Sequence, residues 1–270
     1  MKNVCKRFIA MLSAVLIVNM MLSCNGGGSK KSGTPSGTAA PESTMMVFAA
    51  ASLTDVLSEL IDSFKVGHPV RINTNMASSG TLARQIEQGG TPDLFISASK
   101  KWADYVDSIG SVIKPYKTII ARNDLVLIAP GDSRLGTVKA DSSMNIMPVL
   151  GNNRLSMGDP AHVPAGQYAK QALEYFGLYR TLTGKLLPAK DVRSALMVVE
   201  MGEAPLGIVY RTDAQKSGKV KIVGVFPDRS HKPIVYVSAI CKESELSKKL
   251  YAFLKSDKAK PVWAKYGFNN

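Results

Sequence analysis

The sequence predicts an α/β protein in which the strands of a mostly parallel sheet alternate with helices. Short apolar runs of strand length are followed by stretches whose apolar residues recur at helical spacing. The first such run, residues 45–51, leads into a helical pattern at 53–65, and the same succession starts again after Arg122. Strands that alternate with helices pair in parallel and form layered α/β folds, so we expect parallel pairing here.

The part of the chain before Arg122 contains three strand and helix pairs. We predict strands at residues 45–51, 70–76 and 94–98, and helices at 53–65, 81–88 and 102–109. Glycines follow the second and third of these helices, where a left-handed residue closes the last turn. This part should therefore fold into one sheet covered by helices.

The part after Arg122 repeats the alternation and then closes the chain with helices. The predicted strands are residues 125–129, 154–157, 206–210, 220–225 and 233–240. The predicted helices are residues 165–176, 192–201, 243–255 and 258–266.

Residues 1–23 have the features of an export signal. Three basic residues are followed by a mostly apolar run of 14 residues and by a small serine. That run is shorter than the roughly 20 residues of a membrane-spanning helix. Residues 21–24 (MLSC) resemble the lipobox of bacterial lipoproteins, so we expect Cys24 to be acylated after cleavage. Simple cleavage or retention of the signal are the alternatives.

Cys24 and the residues up to 44 should form a flexible, lipid-anchored linker. The segment consists mainly of Gly, Ser, Thr, Pro and Ala, which cannot bury apolar surface. About 20 such residues have an end-to-end distance of about 25 Å, enough to lift a domain from a membrane surface. Cys5 belongs to the predicted signal and Cys241 stands alone, so we expect no disulfide framework.

The positive charge of the chain does not indicate a nucleic-acid partner. The net charge of +13 falls to +10 without Lys2, Lys6 and Arg7 of the predicted signal. The remaining lysines are scattered, and no basic run is interleaved with aromatic residues. We interpret the charge as a solvated basic surface with a mild attraction for anions.

Four predicted helices begin in a way that builds an anion site. The first N–H groups of a helix have no internal acceptor and carry the positive end of the macrodipole. Several such ends together would hold an oxyanion without a salt bridge, which favours a binding protein over a catalyst. The four helix starts are Ala51-Ser52, Ser78-Ser79, Pro164-Ala165 and Asp191-Val192.

Each of these features also has a simpler interpretation. Serine is a favoured N-cap, which alone explains Ser52 or Ser79. Tyr210 ends a predicted strand, where it is either a packing aromatic or a phenol beyond the carboxyl end of the sheet. Ligands of open α/β sheets bind at that end, so the second interpretation makes Tyr210 a ligand contact.

An envelope serine hydrolase is the alternative from a different functional class. Residues 97–100 (SASK) match the S-x-x-K signature of penicillin-recognising enzymes, with Ser97 as nucleophile and Lys100 as its partner. The S-D-N and K-T-G motifs that accompany this signature do not occur in the chain. The histidines lie apart, without the spacing of metal ligands, and we expect neither a metal site nor a cofactor.

Five longer segments carry a resemblance to a known family. In order along the chain, they are similar to the motifs of the molybdate-binding proteins of bacterial ABC importers, from about residue 45 to 268. The segments are residues 47–54 (VFAAASLT), 77–86 (ASSGTLARQI), 92–98 (PDLFISA), 158–166 (GDPAHVPAG) and 204–210 (APLGIVY).

The resemblance implies a two-lobed periplasmic-binding-protein fold of type II, each lobe a mostly parallel sheet flanked by helices. One lobe would comprise residues 45–122 with 229–270, and the other residues 123–228. The chain would cross between the lobes near residues 121–123 and again near 226–229.

The resemblance also implies a set of oxyanion ligands. Hydroxyl and main-chain donors would come from the two serines, main-chain N–H groups from the next two positions, and a phenol from the tyrosine. The anion would be held through its oxygens, with no direct metal ligand. The corresponding positions here are Ser52, Ser79, Ala165, Val192 and Tyr210.

The implied function is capture of molybdate, and also tungstate, by a monomeric, lipid-anchored protein outside the cytoplasm that delivers the ion to an ABC permease. It implies no enzyme activity. Position 80 is often Ser in this family and is Gly here, so we expect a looser loop beside Ser79.

The chemistry of the ion agrees with a shell made of donors. Molybdate is unprotonated at neutral pH and only accepts hydrogen bonds, whereas phosphate retains a proton and would use a carboxylate acceptor. No carboxylate occurs among the five positions, although Asp159 and Asp191 are close in sequence. Sulfate is also a pure acceptor, so a receptor for sulfate or phosphate remains an alternative.

Overall fold

The computed structural model describes residues 43–269, which form two five-stranded sheets flanked by helices. The predicted export signal, Cys24 and most of the predicted linker lie outside the described residues. The first strand begins at Ser43, so the last two residues of the predicted linker are part of a strand.

The strands agree closely with the predicted ones, with two additions. In chain order they are β1 (Ser43–Ala50), β2 (Val70–Ala77), β3 (Leu94–Ser97), β4 (Lys117–Asn123), β5 (Leu125–Pro130), β6 (Leu155–Gly158), β7 (Leu186–Ala189), β8 (Leu206–Tyr210), β9 (Val220–Val225) and β10 (Ile234–Ile240).

The helices between the strands vary from one turn to three. They are α1 (Thr54–Lys65), α2 (Ser79–Glu87), α3 (Lys100–Ser108), α4 (Met147–Leu150), α5 (Pro164–Tyr175), α6 (Tyr179–Leu182), α7 (Val192–Glu200), α8 (Arg211–Lys216), α9 (Glu245–Leu254) and α10 (Lys260–Lys265). Short 3₁₀ turns lie at Ala51–Leu53, Thr183–Lys185 and Asp228–Ser230. No helix within residues 43–269 combines the length and the apolar composition needed to cross a lipid bilayer.

Both sheets have the same topology, which gives the predicted two-lobed α/β fold. The first lobe contains the sheet β2-β1-β3-β10-β4, and the second lobe contains the sheet β7-β6-β8-β5-β9. In each sheet four strands run in one direction and a single strand, β10 or β5, runs in the other. The expectation of parallel pairing is therefore correct for half of the strand pairs. The antiparallel strand in each sheet is the one that begins after the chain has changed lobes.

The chain changes sheets twice. It leaves the first sheet at Asn123, the last residue of β4, and enters the second at Leu125. It returns between Val225 and Ile234. Asn123, at the first crossing, contacts Thr212 of the second lobe and Tyr236 of the first.

The two strands absent from the prediction, β4 and β7, are edge strands. The other two edge strands, β2 and β9, were predicted, but β4 alternates irregularly between exposed and buried side chains and β7 has no fully buried side chain. Pro188 within β7 argues against a central strand, but an edge strand tolerates a missing N–H donor. Pattern reasoning that searches for buried runs overlooks both.

The topology places all five predicted ligand positions after the carboxyl ends of parallel strands. Ser52 follows β1 and Ser79 follows β2, while Ala165, Val192 and Tyr210 follow or end β6, β7 and β8. Open α/β sheets bind ligands at this edge. The five positions thus come from equivalent edges of two sheets that face one another.

Candidate functional site

The first lobe contributes two buried serines at helix starts. Ser52 lies in the 3₁₀ turn Ala51–Leu53 between β1 and α1, and Ser79 is the first residue of α2. The exposed fraction is 2% for Ser52 and 0% for Ser79. The N-cap of α2 is the preceding residue, Ser78, whose side chain accepts a hydrogen bond from the Thr81 N–H at 3.2 Å. Capping is therefore done by Ser78, which leaves the Ser79 hydroxyl for another role.

The second lobe contributes two helix N-termini. Ala165 is the second residue of α5, after Pro164, and Val192 is the first residue of α7. Both are buried, and N–H groups at these helix positions have no intrahelical acceptor. Asp191 caps α7 by accepting from the Ser194 N–H at 2.7 Å. The N–H groups of Ala165 and Val192 are thereby left as donors at the positive ends of two helices.

The position of α5 depends on a close approach of two glycines. A Cβ atom at Gly166 would lie 1.9 Å from the carbonyl oxygen of Gly158, and a Cβ at Gly158 would lie 2.4 Å from Val163. Only glycine fits at this contact between α5 and β6. The main-chain donor of Ala165 is therefore placed by its neighbour rather than by its own side chain.

Tyr210 ends β8 and holds a phenol with no partner. It is 1% exposed, and its Oη makes no hydrogen bond to any described residue. Its ring lies 6.5 Å from that of Tyr168 and 6.2 Å from that of Tyr236, measured between centroids. Burial raises the pKa of Tyr210 well above its usual range, so the phenol stays protonated. A buried donor without an acceptor is costly unless a ligand supplies one.

The two lobes contact one another around these positions. The side chain of Arg193, next to Val192, places Nη2 2.6 Å from Oδ2 of Asp55 in α1 of the first lobe. The Tyr168 hydroxyl of α5 lies 3.5 Å from the carbonyl oxygens of Ala98 and Pro233. The structure thus brings the helix starts of both lobes to one closed boundary.

Gly80 takes part in this boundary, and the expectation of a looser loop is wrong. A Cβ atom at Gly80 would lie 2.3 Å from the carbonyl oxygen of His162 in the second lobe and 2.7 Å from the Trp102 ring. Gly80 lies in the first turn of α2 and is buried. The missing side chain permits close contact between the lobes instead of loosening the segment.

The hydroxyls of both serines already take part in one hydrogen bond. Ser79 Oγ accepts from the Ala98 N–H at 2.9 Å. Ser52 Oγ lies 2.8 Å from the hydroxyl of Tyr236 in β10, which also lies 3.2 Å from Nδ2 of Asn123. Within residues 43–269, neither serine hydroxyl has a further partner. The Ser79 proton therefore has no acceptor among the described residues.

Tyr236 and Asn123 are the site residues that sequence reasoning missed. Tyr236 lies in an apolar strand, where an aromatic residue is most simply explained by packing. Asn123 falls in the predicted crossing between the lobes, and this position is the only signal for it. Burial raises the pKa of Tyr236 above its usual range, so this phenol is also protonated.

Arg193, which follows Val192 in the chain, contacts two carboxyl groups. Arg193 contacts Asp55 across the lobes, and its Nε lies 2.6 Å from Oδ1 of the fully buried Asp213 in α8. Burial raises the pKa of Asp213 to about 7, against the opposing effect of Arg193. Arg193 is thus held in an ion pair on both sides.

The predicted carboxylate neighbours Asp159 and Asp191 organise the loops that precede α5 and α7. Asp159 Oδ1 accepts from the Ala161 N–H at 2.8 Å, and its Oδ2 lies 3.7 Å from Nδ1 of His162. Asp191 is the N-cap of α7. Both carboxylates thus have local structural roles.

The geometry does not support the serine hydrolase. Ser97 is fully buried, donates to the Ser99 carbonyl at 2.7 Å and accepts from the Ser99 N–H at 3.1 Å. The Lys100 ammonium instead contacts Asp104 at 2.5 Å. The pair forms no nucleophile and base. Within residues 43–269, no group of three or more His, Cys, Asp and Glu side chains is placed to hold a metal ion.

Comparison with known proteins identifies the family. Residues 45–269 match the family model described as bacterial extracellular solute-binding protein. The molybdate-binding protein ModA of Escherichia coli is 44% identical over 231 residues, covering 85% of this chain and 90% of that protein. A putative ABC transporter substrate-binding lipoprotein of Bacillus subtilis, YvgL, is 36% identical and covers 97% of this chain and 96% of its own length.

Solved structures agree with the fold. The periplasmic molybdate-binding protein of Azotobacter vinelandii superimposes with a TM-score of 0.73 at 22% identity, covering 84% of this chain and 99% of that one. At this identity the likeness concerns the two-lobed fold alone.

Proposed function

The chain belongs to the bacterial extracellular solute-binding protein family, and we propose that it captures molybdate outside the cytoplasm and delivers it to an ABC permease. Tungstate, with the same charge and shape, is proposed as a second ligand. The protein binds and releases the ion without chemical change. We also propose the lobe limits expected from the sequence, residues 45–122 with 229–270 and residues 123–228.

The proposed ligands are Ser52, Ser79, Ala165, Val192 and Tyr210. The observation that carries this proposal is that two buried hydroxyls at the lobe boundary, those of Ser79 and Tyr210, each have a proton and no acceptor for it among the described residues. Ser79 already accepts from a main-chain N–H, and Tyr210 has no partner among the described residues. Main-chain N–H groups at the starts of α5 and α7 complete a shell of donors.

Such a shell fits an anion that only accepts hydrogen bonds. Molybdate and tungstate are dianions without a proton, whereas phosphate would need an acceptor for its own proton. The nearby carboxylates Asp159 and Asp191 are engaged at helix starts, and Asp213 is paired with Arg193. Sulfate has no proton either, so hydrogen bonding does not distinguish it from molybdate. Its bonds to oxygen are shorter than those of molybdate, which leaves pocket size as the basis for discrimination between the two ions.

We further propose that the protein is a monomer held at the membrane by a lipid on Cys24. This residue lies outside the described residues, so the proposal rests on the MLSC sequence at 21–24 and the linker composition. The similarity to a relative named as a lipoprotein, which extends over nearly the whole chain, supports it. Intact-mass analysis of protein from its own host should find the lipid, and Cys24→Ala should remove it without affecting ligand binding. An unmodified wild-type Cys24 would contradict the anchor.

Calorimetric titration tests the ligand assignment. Protein that starts at Ser43 is titrated separately with molybdate, tungstate, sulfate and phosphate. We expect one-to-one binding of the first two ions and much weaker binding of the others. Equal affinity for molybdate and sulfate would refute the assignment to molybdate.

A further inference from the structure

The hydrogen-bond chain behind Ser52 has a defined direction. Its members are buried: Asn123 is 7% exposed, Tyr236 0% and Ser52 2%. The Asp124 N–H lies 2.9 Å from the Asn123 side-chain oxygen, Oδ1. Because a main-chain N–H only donates, the oxygen of the Asn123 amide must face Asp124 and its nitrogen must face Tyr236.

The direction continues from Asn123 to Ser52. The Asn123 amide nitrogen has two protons and two neighbours, the Thr212 hydroxyl at 2.9 Å and the Tyr236 hydroxyl at 3.2 Å. Tyr236 therefore accepts from Asn123. Its own proton has one remaining acceptor among the described residues, Ser52 Oγ at 2.8 Å. A buried phenol proton left unpaired would be costly, so Tyr236 donates to Ser52.

We propose that Asn123 and Tyr236 fix Ser52 as a hydrogen-bond donor and thereby make the site select oxyanions that carry no proton. This proposal rests on the proposed function, in which Ser52 contacts the anion. With one lone pair of Ser52 occupied by the Tyr236 proton, the Ser52 proton points to the ligand. An anion that presents its own O–H group to Ser52 then meets a donor instead of an acceptor.

The hydrogen-bond chain from Asn123 through Tyr236 to Ser52 also lies where the lobes join. Asn123 ends β4 at the first crossing, Tyr236 lies on β10 after the second crossing, and Thr212 belongs to α8 of the second lobe. Asn123 and Tyr236 are thus positioning residues that reach the anion only through Ser52. Among the described residues, the Tyr168 and Tyr210 hydroxyls make no hydrogen bond with Asn123, Tyr236 or Ser52.

Two variants change, in different ways, which groups donate in this hydrogen-bond chain. Tyr236→Phe removes the donor to Ser52, which frees Ser52 to accept. Asn123→Asp keeps the acceptor for Asp124 but places a second acceptor against Tyr236. Tyr236 then donates to the carboxylate, and Ser52 donates to Tyr236 and turns a lone pair to the anion. Tyr251→Phe in α9, which removes the hydroxyl of another buried tyrosine of the first lobe, is the matched control.

The measurement is the ratio of phosphate affinity to sulfate affinity, by calorimetric competition against molybdate at about pH 8, where phosphate is chiefly a dianion with one proton. The two ions are similar in size and equal in charge, so cavity size and added charge cancel from the ratio. We expect the ratio to rise at least about fivefold in Tyr236→Phe and in Asn123→Asp, and to stay unchanged in Tyr251→Phe. In a Ser52→Ala background, Tyr236→Phe should no longer change it.

A merely structural role of Tyr236 would weaken all anions alike and leave the ratio unchanged. If neither variant raises the ratio by more than about twofold, the proposal is overturned while molybdate binding by the wild type still stands. If the wild type does not bind molybdate, the proposed function itself fails, and the two results are distinguishable in the same titrations.

Discussion

The two lobes face the candidate site with different chemistry on sheets of the same topology. The first lobe offers side-chain hydroxyls: Ser79 accepts from the Ala98 N–H, and Ser52 shares a hydrogen bond with the Tyr236 hydroxyl. The second lobe offers main-chain N–H groups at Ala165 and Val192, together with the Tyr210 phenol, which has no partner among the described residues. The difference teaches that the first lobe depends on residue identity, whereas the second depends on helix position at Ala165 and Val192 and on residue identity only at Tyr210.

The largest effect should come from moving a helix of the second lobe. Gly166→Ala would place a Cβ atom 1.9 Å from the Gly158 carbonyl oxygen, so α5 must shift from β6. Because the shift misplaces main-chain donors to a charged ligand, we expect more than about a 100-fold loss of molybdate affinity and a lower melting temperature. Ala165→Gly keeps the N–H and should change affinity less than about threefold. Calorimetry and thermal unfolding of both variants measure this, and wild-type affinity in Gly166→Ala would refute the dependence on helix position.

The next comparison separates two hydroxyls with the same role and different surroundings. Ser79→Ala and Tyr210→Phe should each weaken molybdate binding by roughly 10- to 150-fold. Ser79→Ala also leaves the buried Ala98 N–H unpaired and should lower the free energy of unfolding of the ligand-free protein by about 1 to 3 kcal/mol. Tyr210→Phe removes a hydroxyl without a partner and should not lower it. Denaturant unfolding distinguishes the two, and equal destabilisation would contradict the assigned contacts.

A pH experiment examines the ion pairs of Arg193, which joins Asp55 of the first lobe and Asp213 of the second. Burial raises the pKa of Asp213 from 3.8 to about 7, so the folded protein holds a proton that the unfolded chain has lost. The free energy of unfolding should therefore fall as the pH rises from about 4 to about 7, by on the order of 2 to 4 kcal/mol from this group. The charged groups around it are Arg193, Asp55 and Asp191.

Asp213→Asn should flatten this decline, because the amide does not titrate. Denaturant unfolding of wild type and variant at several pH values between these limits gives the difference in slope. Identical slopes would mean that Asp213 remains ionised beside Arg193 throughout.

The smallest effect should be that of salt. In the described part of the chain, Arg193 is bound to Asp55 and Asp213, and the Arg84 guanidinium lies over the Trp102 ring at 5.9 Å. Raising sodium chloride from about 0.05 to 0.5 M should weaken molybdate binding less than about tenfold. A steeper dependence in titrations would indicate that Arg84 or Arg193 reaches the ion.

Sequence reasoning predicted the α/β class and most of the elements, because buried strands and amphipathic helices leave strong periodic patterns. The edge strands β4 and β7 were missed because their side chains show neither a fully buried run nor a regular alternation. Tyr236 could not be found in this way, since its contact with Ser52 joins residues 184 apart in the chain. The tight packing of Gly80 against His162 likewise depends on how the lobes close, which local patterns do not encode.

The five proposed ligands came from family resemblance, and physical patterns alone would have left them ambiguous. A serine at a helix start is most simply a cap. Only the structure shows that Ser78 caps α2, so that the Ser79 hydroxyl has no capping role. Likewise, a tyrosine at a strand end is an ordinary packing residue until its hydroxyl is found buried without a partner. Hydrogen-bond direction is the information that sequence lacks.

A crystal structure with bound molybdate tests the central claim, a shell of neutral donors from both lobes, most directly. We predict anion oxygens within about 2.6 to 3.1 Å of the Ser52, Ser79 and Tyr210 hydroxyls and of the Ala165 and Val192 main-chain nitrogens. Arg193 should remain paired with Asp55 and Asp213. An anion that contacts the guanidinium of Arg193 or a lysine ammonium, or that leaves the three hydroxyls unbound, would contradict the account.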